Sequence, residues 1–111
     1  MLKGLGDMAK MMKTAQEMQS KMTEMQADLA RIIVVGEAGG GLVRARCTAK
    51  GDITGLDIDP TILVASEKEI VEDLIIAAIR DAQSQAAARS ASELQRIASA
   101  MGLPSDMKLP I

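Results

Sequence analysis

The chain reads as an α+β domain: a long amino-terminal helix, a three-stranded antiparallel sheet and a long carboxy-terminal helix, in the order α-β-β-β-α. Three observations predict this. Only residues 32–59 carry β-branched runs and two-residue alternation punctuated by glycine. Upstream, the apolar positions repeat as a heptad; beyond Pro60 a helical period returns. At 111 residues there is room for one domain with a modest core.

The first helix is predicted over 7–31. Met8, Ala15, Met22 and Leu29 stand seven apart, and so do Met11, Met18, Met25 and Ile32. Interleaved, they form the 3-4 seam of a coiled coil. The rest of this surface is Lys, Gln, Glu and Ser, with Glu17 four residues before Lys21 as a helix-stabilising pair. Methionine makes the seam soft and adaptable. Four heptads exceed what so small a sheet can cover. The helix is therefore expected to project and to meet a second copy, with Met11, Met18, Met22 and Met25 at the contact and sheet edges or the second helix able to share it.

The sheet, over 32–59, opens with the run Ile32–Val35. Gly36 and Gly39-Gly40-Gly41 interrupt it, and Leu42–Ala49 then alternates. Placing Lys50 and Gly51 at the centre of a two-residue hairpin turn sets Val43 opposite Ile58, Ala45 opposite Leu56 and Cys47 opposite Thr54. On the other face Arg44 falls opposite Asp57, a favourable cross-strand charge pair. A slip of one residue would turn every apolar side chain outward. The loop GEAGGG at 36–41 opens into a strand and lacks the Gly-Lys-Ser/Thr ending of a phosphate loop, so neither that motif nor a dinucleotide fingerprint is present. It reads as the link between two antiparallel strands.

The second helix is predicted over 67–101. Ser66 and Glu69 have the spacing of a capping box, and Glu67, Glu69, Glu72 and Asp73 suit the positive end of the helix dipole. Val71, Leu74, Ile75, Ala78, Ile79 and Ala82 form a broad face for the sheet. Small residues follow at 86–88; the pattern resumes at Leu94, Ile97, Ala98 and Met101. A break near Ser90 is left open. Gly102 and Pro104 end the helix, and 102–111 is expected to be a loose tail.

Composition narrows the functions. There is no Trp, Tyr, Phe, His or Asn, with nine Met and one Cys. Without histidine the usual general base and commonest metal ligand are missing, and no nucleophile–base pair assembles, so no enzyme, metal or cofactor is expected. Asp57 and Asp59 have no third carboxylate nearby; Arg44 and turn chemistry before Pro60 account for them. The lone Cys47 reads as a small core residue in a reducing compartment. With no signal segment and no apolar run of ~18 residues, a soluble cytoplasmic protein is expected. The net charge is −2, yet residues 1–50 hold eight Lys and Arg against five Asp and Glu, a balance of +3.

The string GEAGGGLV at 36–43, the Gly51 turn, L-x-I-D-P at 56–60 and E-D-L-I-x-A-A-x-x-D-A at 72–82 occur in that order. A Met/Gln-rich helix precedes them and Gly-Leu-Pro follows at 102–104. Across essentially its whole length the chain resembles the YbaB/EbfC family of bacterial nucleoid-associated proteins. It departs from the family at Arg80, where Asn is common. The resemblance implies a small cytoplasmic DNA-binding protein, a homodimer whose helices project like tweezers, with no catalytic activity and no cofactor.

For DNA, the missing aromatics exclude stacking platforms for single strands, and the missing Asn removes a usual adenine reader. Lysine and arginine on duplex phosphates remain. The candidates are Lys3, Lys10, Lys13, Lys21 and Arg31 on the first helix, then Arg44, Arg46 and Lys50 on the sheet. The alternative is an adaptor that binds a DNA-repair or replication protein through its Met-rich helix, a reading the net negative charge favours. A membrane-surface role is disfavoured by sparse lysine and missing aromatic anchors.

Overall fold

The computed structural model describes residues 2–102. Helix α1 spans Leu2–Leu29, strands β1, β2 and β3 span Ile33–Ala38, Val43–Thr48 and Ile53–Ile58, and helix α2 spans Lys68–Ala100. Single 3₁₀ turns lie at Pro60–Ile62 and Ala65–Glu67. The strands pair antiparallel in the order β1-β2-β3. The predicted α-β-β-β-α order is the observed one. The molecule is long and thin, 78 × 23 × 17 Å.

The hairpin register follows the apolar alternation through Val43↔Ile58, Arg44↔Asp57 and Ala45↔Leu56. It then departs from expectation, because Cys47 pairs with Ile53 and not with Thr54. The turn explains this. The Thr48 N–H donates to the Asp52 carbonyl at 2.8 Å, which encloses three residues, Ala49 to Gly51, where two were expected. A bulge next to Arg46 and Cys47 absorbs the mismatch and keeps Ile53 on the apolar side. Between β1 and β2, Gly39, Gly40 and Gly41 all have positive φ, a succession that residues with a Cβ do not sustain.

The expected capping box at Ser66 and Glu69 does not form. Ser66 lies within the 3₁₀ turn, whose Glu67 N–H donates to the Val64 carbonyl at 2.9 Å, so the chain is already turning before α2 begins. Glu67 occupies the cap position with no side-chain bond. Past this point α2 continues through Ser90 unbroken. Helix α1 starts earlier than expected and ends at Leu29.

Two cores hold the elements. In the first, Val43, Ala45 and Cys47 of β2 pack fully buried against Ala78, Ala82 and Ala86 of α2. These alanines form a stripe of small residues that lets the helix lie close to the sheet. The approach is closest at Gly36, where a Cβ would overlap the Ala82 amide nitrogen and the Ala78 carbonyl. In the second, Met25 and Leu29 of α1 meet Leu94 and Ile97 of α2, with Ala49 of the β2–β3 turn beside them. At 33 residues α2 is about 50 Å long and outruns the sheet. Its far end, and not the sheet, covers the lower half of the methionine seam.

Candidate nucleic-acid interface

The seam divides where α2 ends. Lys21, Glu24, Met25 and Asp28 line a cleft of about 300 Å³ together with Arg96, Ile97, Ala100 and Met101, so this part of α1 runs antiparallel alongside α2. Beyond it every residue from Gly4 to Glu17 is exposed. Fourteen residues of helix span about 21 Å, an arm with no packing partner among the described residues. Met8 and Met11 on it are 63% and 72% exposed. Of the four seam residues expected at a dimer contact, Met25 is buried and Met22 partly buried within the chain itself. Met18 is half-buried and Met11 is open.

The predicted cations sort by what they touch. Lys21 Nζ lies 3.9 Å from Glu24, three residues on, and not beside Glu17 as the spacing suggested. Arg31 lies 3.8 Å from Asp28 and donates to the Ala27 carbonyl. Arg44 is opposite Asp57 in register, yet its Nε bonds Glu37 on β1 at 3.1 Å. Asp57 is taken instead by Arg46, whose guanidinium lies across Gly55. A glycine with no side chain leaves the path that Arg46 needs. Lys10 and Lys13 on the arm, and Lys50 at the β2–β3 turn, are exposed with no carboxylate within 4 Å among the described residues. The Lys3 side chain and the tail beyond Gly102 lie outside the described residues.

A model of the YbaB/EbfC DNA-binding family matches residues 4–101. The chain belongs to this family. It is 44% identical over 105 residues to a nucleoid-associated protein of Rhodopseudomonas palustris, covering 95% of this chain and 99% of that one. A nucleoid-associated protein of a Bradyrhizobium species is 46% identical over 100 residues, covering 90% and 94%. In fold it is similar to the crystal structure of an uncharacterized protein from Helicobacter pylori, with a TM-score of 0.65, 18% identity and 84% and 94% of the two chains covered.

As a member of a DNA-binding family, the chain has its cations as the residues of interest. Sequence reasoning passed over one of them. Arg80 is exposed on the outer side of α2, with no carboxylate within 4 Å among the described residues. Its place two residues after Ala78 and two before Ala82, both buried, marks it as outward-facing. Two carboxylates that had invited a chemical reading are accounted for by structure. Asp59 accepts from the Thr61 amide at 2.9 Å and the Thr61 hydroxyl at 2.7 Å, and these bonds hold its pKa below the ordinary value. Asp57 belongs to Arg46. No helix among the described residues is long and apolar enough to cross a membrane.

Proposed function

We propose that the protein is a cytoplasmic, non-enzymatic nucleoid component that binds duplex DNA as a homodimer, mainly through phosphates and with little sequence preference. In that role it organises the nucleoid or regulates expression. The observation that carries this reading is the segregation of charge on α1. Lys21 and Arg31 face carboxylates near α2, whereas Lys10 and Lys13 on the exposed arm have no carboxylate within 4 Å among the described residues. Lys10 and Lys13 are three residues apart, so both project to the same side of the helix, away from the methionine seam. Residues 1–16 hold Lys3, Lys10 and Lys13 against Asp7 alone. Lys50 and Arg80 contribute second, and Arg44 and Arg46 least, because Glu37 and Asp57 already neutralise them.

The test is fluorescence anisotropy of a labelled duplex across salt concentrations, the label being on DNA because the protein has no aromatic residue. Three arm lysines from each of two copies predict a slope of log K against log salt near −5, at about −0.9 per phosphate. Lys10→Ala with Lys13→Ala removes four of these contacts and should reduce the slope to about −2. A salt-insensitive affinity, or a double variant that binds like the parent, would sink the proposal.

A second reading, the adaptor for a repair or replication protein, is favoured by one observation: Leu5, Met8, Met11 and Met12 on the arm are all at least 63% exposed. It predicts that Lys10→Glu leaves the cellular role intact while Met11→Asp abolishes it.

A further inference from the structure

The sulfurs of this chain are not equally reachable. Met8, Met11 and Met12 on the arm are 63%, 72% and 64% exposed, whereas Met25, further along the same helix, is 5% exposed. Met18 and Met22 fall between, and Met101 is partly covered by the second core. The single thiol, ordinarily the faster target of an oxidant, is out of reach, because Cys47 is fully buried on β2. Burial also raises its pKa, which keeps it in the less reactive thiol form. Oxidation of sulfur follows exposure and, for a thiol, thiolate character. Access therefore singles out three thioethers within residues 8–12.

The same three residues help to hold the arm helical. From Gly4 to Glu17 every residue is exposed, and no side-chain hydrogen bond or ion pair joins two of them among the described residues. Gly4 and Gly6 each weaken the helix further. The arm is helical only by extension from the packed stretch that ends at Leu29, and a helix without tertiary packing is marginal. Local side-chain pairs then matter. Leu5 and Met8 are three apart, Met8 and Met11 three, and Met8 and Met12 four, the spacings at which apolar side chains meet on a helix. Met8 stands in all three pairs.

We propose that Met8, Met11 and Met12 form an oxidation site for hydrogen peroxide, and that their conversion to sulfoxides unwinds the arm and loosens its hold on duplex DNA. A sulfur lone pair attacks one peroxide oxygen; an S–O bond forms and the O–O bond breaks. The sulfur is oxidised by two electrons. The departing oxygen takes those electrons and the proton of the transferred one, and leaves as water. The product is polar and chiral where the thioether was apolar, so it no longer gains by meeting Leu5 or its own neighbours. With three pairs weakened at once, the helix stops short of Lys10 and Lys13, and the two lysines lose their common direction. This last step rests on the duplex reading proposed above; the oxidation site and the unwinding do not. Met25 lies in the second core, so the fold beneath the arm survives a dose that oxidises the arm.

Treating the full chain with hydrogen peroxide, followed by peptide mass mapping, circular dichroism and the labelled duplex, tests this. Met8, Met11 and Met12 should each take up one oxygen about ten times faster than Met25. The helical signal should drop while the melting temperature of the cores stays put. The salt slope for duplex binding should shrink from near −5 toward about −2, as in the lysine double variant. Methionine sulfoxide reductases, one for each sulfoxide epimer, should restore both signals. Leucine at all three positions keeps the apolar pairs and removes the sulfurs, so that variant should bind duplex like the parent and keep its helix under peroxide. Arm methionines oxidised no faster than Met25, an oxidised arm that stays helical, an unwound arm that binds duplex as before, or a leucine variant as peroxide-sensitive as the parent would each overturn the proposal. The DNA reading fails separately. An untreated parent that binds no duplex overturns that reading, while the mass map and the dichroism still decide the oxidation site and the unwinding.

Discussion

Replacing Gly36 with alanine tests whether the close approach of α2 to the sheet holds the domain together. The added Cβ would stand 2.7 Å from the Ala82 Cα and would overlap the neighbouring amide nitrogen and the Ala78 carbonyl. All are backbone atoms, so no side chain can rotate away. Ordinary carbon contacts begin near 3.5 Å, so the helix must retreat by about 1 Å. A gap of that size forfeits a quarter to a half of the dispersion attraction across it, and it opens over Val43, Ala45 and Cys47, which are fully buried. Overpacking of this kind costs about 1–3 kcal/mol, and the upper end applies where nothing can yield. Losing glycine's freedom in the unfolded chain returns about 0.4–1 kcal/mol. The net expectation is a loss of about 2 kcal/mol, or roughly 10 °C in melting temperature for a domain of this size. Urea unfolding followed at 222 nm measures it: the midpoint should fall with the slope unchanged. Gly40→Ala is the comparison. That position has open space but a φ of +67°, so only the backbone cost of about 1 kcal/mol applies. Unchanged or improved stability in Gly36→Ala would refute the reasoning.

Three further outcomes are expected. Gly4 and Gly6 lie in the unsupported arm with open space around them; alanine at both should raise the helical signal, at about 1 kcal/mol per site of local helix stability, while the melting temperature of the core stays put. Burial, aided by the charge of Asp52 and opposed by the Gly51 amide, raises the Cys47 thiol above its ordinary 9.0. A raised folded-state pKa contributes stability that is complete below the unfolded value and lost as pH climbs toward the folded one. The parent should therefore lose stability above about pH 9 more steeply than Cys47→Ala. Asp81→Ala or Gln85→Ala should each cost about 1 kcal/mol by freeing the β1 edge. Because the two side chains also bond each other at 3.1 Å, the double variant should cost less than both singles together in a thermal-melt cycle.

Periodicity made the elements legible. Alternation along Leu42–Ala49 and Ile53–Asp59 specified the sheet and its register through Leu56, because a one-residue slip exchanges the faces. It failed at Cys47, where turn length decides and a bulge can hide an extra residue. The heptad marked Met22, Met25 and Leu29 as a seam and assigned its cover to a second copy, whereas Leu94 and Ile97 of the same chain lie against Met25 and Leu29. Periodicity reports that a face is hidden, and the length by which α2 outruns the sheet reports what hides it.

The site follows the same division. That Lys10 and Lys13 lie on a helix facing one way was determined by their spacing, a local property. Which cations stay free was decided only by the tertiary structure. Arg44 has a carboxylate on each side, Glu37 on β1 and Asp57 on β3, and the hairpin pattern alone presented just one of them. Arg46 reaches Asp57 because Gly55 leaves the way clear, and Lys21 turns to Glu24 where α1 runs beside α2. Such choices depend on distances between elements far apart in the chain. Local patterning carries no record of them, and a Coulomb attraction goes to whichever partner the packing brings within reach.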